Sequence, residues 1–397
     1  MTPKRFMVIA GEASGDMLAA ELVRELRAGI QRQPTYTNDL QPLQADLAPR
    51  FFGAGGPCMA AAGVELAFDM TSHAVVGLVE VIKRYGKFKR LFDELFQMAV
   101  DREPHVIICV DFSGFNRRFA HAIKKYVRQR RGPFFDWNPK IIQYVSPQVW
   151  ASREGRARQV AEDFNLILSI IPFEKAWYEA RYPKLKVEFV GHPMLDRYGN
   201  VEGGGRRAEL TSSIVLLPGS RKAELERHLP VMLPALRIIQ AAQPGTRATM
   251  ILPNESLAKM VGDAPASGLK IQVGGLAEAL AQATVAIAST GTVTMECAYF
   301  GVPTVTLYRT SWSTYQIGRR IIKVKSLTMP NLLANEEIYP EFIQAAATPE
   351  NISRATLEFL RNEPARNRVK EKLTGVITSL GGPGASRRAA EAILRIL

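Results

Sequence analysis

Short, unbroken apolar runs alternate with helix-length segments along the chain: Phe6–Ala10, Val106–Val110, Ile141–Val145, Leu166–Ile170, Val187–Val190, Ile214–Leu217, Met250–Leu252, Ile271–Val273, Val285–Ala288 and Thr304–Leu307. Runs of that length between helices are the pattern of strands buried on both faces of a parallel sheet. The segment after the first run has a helical period, with Leu18, Leu22, Leu26 and Ile30 four apart so that one stripe packs on the sheet. The fold class predicted is α/β, with two Rossmann-like, doubly wound parallel-sheet domains facing an interdomain cleft.

Between residues 194 and 212 the pattern stops, and Asp196-Arg-Tyr-Gly-Asn-Val-Glu-Gly-Gly-Gly205 has linker chemistry. The expected division is therefore 1–193, a linker at 194–212, a second domain at 213–375, and a terminal segment at 376–397. In that last segment a helix after Gly381-Gly-Pro-Gly384 carries Ala389, Ala392, Ile393 and Ile396 on one face. The face needs cover, either from the N-terminal domain or from a partner subunit in a homodimer. Thr35–Pro49 reads as a polar loop.

In each half a strand runs through a glycine turn into a helix. The first turn is Gly11-Glu-Ala-Ser-Gly-Asp16 and the second is Pro218-Gly-Ser-Arg221. Such a turn presents free amides and a positive dipole end, suited to an anion. The first lacks both the GxGxxG and the GxxxxGK[ST] spacing, so neither a dinucleotide nor ATP is indicated. Its carboxylates Glu12 and Asp16 favour hydroxyl or amide groups of a substrate, while a plainer reading makes Ser14 and Asp16 helix caps. In the second turn Gly219, Ser220 and Arg221 form the best anion site, because a guanidinium fork matches a pyrophosphate.

Further along, Thr290-Gly-Thr292 could donate to phosphate, and Glu296 could accept both hydroxyls of a ribose. Alternatively Ser289 and Thr292 are caps and Glu296 is a first-turn acid. Asp111 ends a buried run, at the strand end where open α/β sheets bind ligands, and either acts as a general base or caps the helix that starts near Asn116.

Fifty-one Lys and Arg against 38 Asp and Glu give a net charge of +13, which favours anionic partners. Val75–Ile82 followed by Lys83–Phe92 joins an apolar patch to a basic amphipathic stretch. It reads as a membrane-interface element or as a core helix with a solvated basic face. No recognised nucleic-acid motif accompanies its aromatics, and no nucleic-acid partner is expected. The three cysteines and five histidines show neither a disulfide framework nor metal-ligand spacing, so a reducing cytosol and no metal are expected. The N-terminus enters a strand directly, without signal-peptide chemistry, and no apolar run approaches a membrane span.

Gly11–Asp16, Gly77-Leu-Val-Glu-Val-Ile82, Tyr144-Val-Ser-Pro-Gln-Val-Trp150, Pro172-Phe-Glu-Lys175, Val190-Gly-His-Pro193, Leu217-Pro-Gly-Ser-Arg221, Thr290-Gly-Thr292 with Glu296, and Pro330-Asn-Leu-Leu-Ala334 stand in the order found in lipid-A-disaccharide synthases. The chain resembles that family from the first strand to about residue 345.

The resemblance implies a GT-B glycosyltransferase that uses no cofactor and moves 2,3-diacylglucosamine from UDP to the 6-hydroxyl of 2,3-diacylglucosamine 1-phosphate. The products are a β-1,6 disaccharide and UDP, formed with inversion. Asp111 matches the family's essential aspartate and Arg221 its essential arginine. Gly219, Ser220, Thr290, Gly291, Thr292, Glu296 and Asn331 fall in the nucleotide-sugar half, and Glu12, Ser14, Asp16 and Asn116 on the acceptor side. Val79, Val81, Ile82, Lys83 and Arg84 match its membrane contact, which implies a peripheral protein on the cytoplasmic face of the inner membrane.

One position departs: where the family reads Asp-x-Pro-Asp-Phe-Asn, this chain has Asp111-Phe-Ser-Gly-Phe-Asn116, so Gly114 replaces a second aspartate. The alternatives are another UDP-sugar enzyme of this fold, either a soluble transferase or a UDP-N-acetylglucosamine epimerase, and a non-catalytic lipid binder.

Overall fold

A computed structural model describes residues 3–32, 48–71, 85–199, 212–262 and 268–397. The expected membrane-contact residues Val79, Val81, Ile82, Lys83 and Arg84, most of the loop at 35–49 and most of the linker at 194–212 lie outside the described residues. The chain forms two compact units, Met1–Asp196 with Gly381–Leu397, and Arg197–Leu380.

The first unit holds a seven-stranded sheet. Its strands are β1 (Arg5–Ala10), β2 (Arg50–Gly55), β3 (Glu65–Asp69), β4 (Val106–Val110), β5 (Lys140–Tyr144), β6 (Leu166–Ser169) and β7 (Lys186–Phe189). The order is β3-β2-β1-β4-β5-β6-β7, and every pairing is parallel. Both faces are covered, which is why the strands read as continuous apolar runs. Phe6, Val8 and Ala10 face a core shared with Leu18, Leu22 and Leu26 of the helix Ala13–Arg32, whereas Met7 and Ile9 face one shared with Phe119 and Ile123 of the helix Ser113–Arg130.

Ala389, Ala392 and Ile393 of the terminal helix Ala385–Leu394 belong to the first of those cores, so this helix packs on Ala13–Arg32 within its own chain. Burying Ile393 alone contributes about 2 kcal/mol. The segment is also tied down by polar bonds. The Asp196 carboxylate accepts from the Gly384 amide, and Arg388 Nε donates to the Val190 carbonyl at 2.8 Å.

The second unit holds β8 (Ser213–Leu217), β9 (Arg247–Leu252), β10 (Leu269–Val273), β11 (Val285–Ser289), β12 (Thr304–Tyr308) and β13 (Glu341–Ile343), in the parallel order β10-β9-β8-β11-β12-β13. All ten predicted runs lie on these strands or overrun them by a single residue. The sequence pattern missed β2, β3 and β13. Glycines break the apolar run of β2, while β3 and β13 are short and only partly buried.

Strand order reverses direction between β1 and β4 in the first unit and between β8 and β11 in the second. At such a switch point the connections leave on opposite faces and open a crevice at the carboxyl ends of the strands. The Gly11–Asp16 turn and Asp111 flank the first crevice. Pro218–Arg221 and Thr290–Thr292 flank the second.

Candidate active site

Asp111 follows β4 in a strained turn. Asp111 and Phe112 adopt positive φ values of 48° and 40°, and Val145, at the end of β5, one of 67°. Each costs about 1–3 kcal/mol and persists only where the surroundings enforce it. Here they do. The Asp111 amide donates to the Tyr144 carbonyl at 2.8 Å, and its carbonyl accepts from Asn116 Nδ2 at 2.9 Å and Gln143 Nε2 at 3.0 Å. Gln143 Nε2 also reaches the Val145 carbonyl at 3.1 Å, so one side chain braces both strained strand ends.

The Phe112 ring lies where a Cβ on Gly11 would sit, 2.3 Å from its Cδ1, so only glycine admits it. Burial raises the Asp111 pKa from its ordinary value; the Glu12 charge raises it further, and a bond to the Phe112 backbone opposes both.

The remaining expected residues of this unit differ in what they touch. Ser14 is exposed in the first turn of its helix. Asn116 is fully buried and positions the Asp111 backbone, so it braces the site from beneath. Asp16 is 2 % exposed, and its carboxylate accepts amides from Gly56 (2.7 Å), Cys58 (2.9 Å) and Met59 (3.1 Å). Its cap role is therefore at the helix Pro57–Ala61, not at its own helix. A carboxylate occupied in this way holds the β2 connection instead of meeting substrate hydroxyls.

Glu174 carried no role in the sequence reading. It is buried, accepts from Trp150 Nε1 at 2.8 Å and Ser169 Oγ at 2.6 Å, and its carboxyl is pushed up to about 7 by burial. It thereby joins the Tyr144–Trp150 and Pro172–Lys175 motifs.

In the second unit Gly219, at φ 129°, brings the turn after β8 against Glu224, whose Oε2 is 2.3 Å from where a Gly219 Cβ would stand. Glu224 Oε2 accepts the Ser220 amide at 2.8 Å, and Oε1 lies 3.6 Å from Arg221 Nη1. The turn expected to bind an anion is thus already bound by a carboxylate of its own helix, Lys222–Ala242. The Arg221-x-x-Glu224 spacing carried that signal, since a glutamate three residues into a helix reaches back to the amides before it.

His228, on the same helix, is buried. Its Nδ1 contacts the Pro218 carbonyl at 2.6 Å and its Nε2 accepts the Arg309 amide at 3.2 Å, so the neutral ring staples the turn after β8 to the end of β12. Burial lowers its pKa.

Thr290, Gly291 and Thr292 follow β11, where the Gly291 carbonyl accepts from Thr294 N and Oγ1, and Gly291 and Thr292 are exposed. Glu296 Oε1 accepts the Tyr198 hydroxyl at 3.1 Å, and burial raises the Glu296 pKa. Asn331 is 1 % exposed and fully bonded: Nδ2 donates to the Tyr339 carbonyl and Glu341 Oε1, and Oδ1 accepts the Ile338 and Tyr339 amides. With no bonding capacity left for a nucleotide, it shapes the loop before β13. Among the described residues no cluster of three or more His, Cys, Asp or Glu could hold a metal, and no helix is long and apolar enough to cross a membrane.

A sequence model of the lipid-A-disaccharide synthetase family matches residues 6–396. The chain belongs to that family. Lipid-A-disaccharide synthase of Trichlorobacter lovleyi is 34 % identical over 410 residues, covering 100 % of this chain and 98 % of its relative. That of Geobacter metallireducens is 34 % identical over 408 residues, covering 99 % and 97 %. Among solved structures, the S. aureus MnaA–UDP co-structure aligns with a TM-score of 0.63 at 12 % identity, covering 99 % of this chain and 98 % of that one. The glycotransferase of kitacinnamycin aligns at 0.61 and 18 %, covering 100 % and 99 %. These likenesses give the fold, which is GT-B. The family makes the chain a glycosyltransferase of lipid A synthesis.

Proposed function

We propose that the enzyme transfers 2,3-diacylglucosamine from UDP to the 6-hydroxyl of 2,3-diacylglucosamine 1-phosphate with inversion, working as a peripheral protein on the cytoplasmic face of the inner membrane. The observation that carries the reading is Asp111, a carboxylate of raised proton affinity held at the switch point of its sheet by a strained, fully braced backbone. A base that takes a proton from a hydroxyl needs that affinity.

In the step itself, the 6-hydroxyl oxygen attacks the anomeric carbon as its proton passes to the Asp111 carboxylate. The bond from that carbon to the UDP β-phosphate oxygen breaks, and its electron pair stays on UDP. Arg221 and the Ser220 amide stabilise the growing charge once the diphosphate has replaced Glu224 as their partner. Glu296 keeps Oε2 for the ribose while Tyr198 holds Oε1. Glu12 lies on the acceptor side with Asp111.

The test is UDP release in detergent micelles containing both lipids. Release should require both and fall at least about a thousandfold in Asp111→Ala with UDP affinity retained. Arg221→Ala should weaken UDP binding and slow release together. Unchanged turnover in Asp111→Ala would sink the assignment of the base.

A further inference from the structure

Four arginines at the carboxyl side of β4 and β5 have no role in the reading above. Arg117 and Arg118 lie on the helix Ser113–Arg130 that follows Asp111, and Arg153 and Arg156 border the short turn Glu154–Arg156 after the helix Val149–Ser152 that follows β5. Arg117 is 9 % exposed, and its Nη1 is buried without a hydrogen-bond partner. The acid within this group, Glu154, is turned to Arg181 Nε at 2.8 Å. Among the described residues none of the four arginines forms an ion pair.

Burial and repulsion from Arg156, Arg118 and Arg153 lower the Arg117 pKa, and Arg156 responds in the same direction to burial, Arg153 and Arg118. A buried guanidinium without a counter-ion is costly, and three more positive charges beside it raise that cost. The arrangement becomes favourable when a dianion with several acceptor oxygens enters, because guanidinium forks match phosphate geometry.

We propose that Arg117, Arg118, Arg153 and Arg156 form a phosphate-monoester subsite, which on the function proposed above receives the 1-phosphate of the acceptor. A phospholipid headgroup would supply the same chemistry, so the test has an arm for each source.

The full chain is titrated with glucosamine 1-phosphate and with glucosamine, following thermal unfolding by tryptophan emission. The phosphate should raise the midpoint of wild type and leave that of Arg117→Met and Arg153→Ala/Arg156→Ala unmoved, while glucosamine moves none of them. In the UDP-release assay the double variant should raise the acceptor KM by at least roughly tenfold and leave the donor KM unchanged. Binding to phosphatidylglycerol vesicles that falls in the double variant with acceptor KM unchanged would assign the subsite to a headgroup phosphate. Equal phosphate stabilisation of wild type and both variants overturns the subsite. UDP release that needs both lipids yet ignores the arginines overturns it while leaving the transfer reaction standing. Phosphate stabilisation without UDP release does the reverse.

A separate observation concerns the helix Trp312–Ile321, which has no buried residue. Trp312, Ile317 and Ile322 are 75 %, 49 % and 43 % exposed, and from Arg309 to Asn335 the chain carries Arg309, Arg319, Arg320, Lys323 and Lys325 with no Asp or Glu. Exposed apolar side chains on a wholly basic segment fit an anionic bilayer surface. We infer that this helix docks on anionic lipid.

Vesicles with bromine-labelled acyl chains should quench tryptophan emission in phosphatidylglycerol but not in phosphatidylcholine. That quenching should vanish in Trp312→Phe, and Arg319→Glu/Arg320→Glu should weaken vesicle binding roughly tenfold. Quenching that survives Trp312→Phe, or a concentration-dependent blue shift without lipid that marks a second copy as the occupant, overturns the inference. UDP affinity without lipid reads the nucleotide site independently.

Discussion

Replacing Asp16 separates a scaffold carboxylate from a substrate-contacting one. Its Oδ1 accepts the two buried amides, Gly56 and Met59, and its Oδ2 accepts the half-buried amide of Cys58. In Asp16→Ala both buried amides lose their partner at about 1–3 kcal/mol each, whereas the Cys58 amide turns to water, so the expected loss is about 4 kcal/mol. In Asp16→Asn the carbonyl oxygen can keep the Gly56 and Met59 bonds while Nδ2 faces the Cys58 donor, so only about 1–2 kcal/mol is lost.

Urea unfolding followed by tryptophan emission in a Trp312→Phe background measures this, because Trp137, Trp150 and Trp177 all lie in the first unit. Cys58 provides a second readout. It is exposed while Cys109 and Cys297 are buried, and its thiol is raised by burial and then by the Asp16 charge. Asp16→Asn should therefore speed alkylation of Cys58 at fixed pH. If Asp16→Ala unfolds within about 1 kcal/mol of wild type and raises the acceptor KM, the scaffold reasoning is wrong and Asp16 touches substrate.

Three further outcomes are expected. As the proposed base, Asp111 must be ionised to act, and its pKa is raised by burial and then by Glu12, so kcat/KM should fall on acidification at a higher pH than an unperturbed aspartate would set. Glu12→Gln should move that acid limb down by less than about one pH unit, and an unmoved limb would remove Glu12 from the pair. His228 is held neutral with its pKa below the usual 6.5, so the unfolded chain binds the proton more readily and the second unit should lose stability as pH falls below 6.5. His228→Ala, which orphans the Pro218 carbonyl and the Arg309 amide, should cost about 2–4 kcal/mol, flatten that dependence in acid-unfolding curves and weaken UDP binding by calorimetry. Gly114 stands in open space in the first turn of its helix, so Gly114→Asp should stabilise by about 1 kcal/mol. Turnover should stay within roughly threefold if Asp111 acts alone; a gain beyond about tenfold in the UDP-release assay would show that a carboxylate pair is needed.

Local pattern determined a great deal here. Continuous apolar runs such as Val106–Val110 can bury both faces only in a covered parallel sheet, and the glycine turns after Ala10 and Leu217 mark where helices begin. That was enough to place Asp111 and Arg221 at strand ends. Strands β2 and β13 stayed hidden because glycine, charge and shortness erase the periodic signal.

Tertiary structure alone decided the partners. Asp16 read equally as a substrate contact or a helix cap, because a polar side chain beside a turn has the same sequence signature whether it faces solvent or backbone, and Asn331 entered the nucleotide-sugar set only through the family resemblance. Only the arrival of the Gly56–Met59 amides and of the Ile338–Glu341 loop shows that their bonds are already made. Gln143, Glu174 and His228 were silent for the converse reason: each acts across a distance in the chain that no local spacing records. The Asp111 pKa belongs to the same class, since a carboxylate's proton affinity is set by the water and the charge that folding removes from or brings beside it.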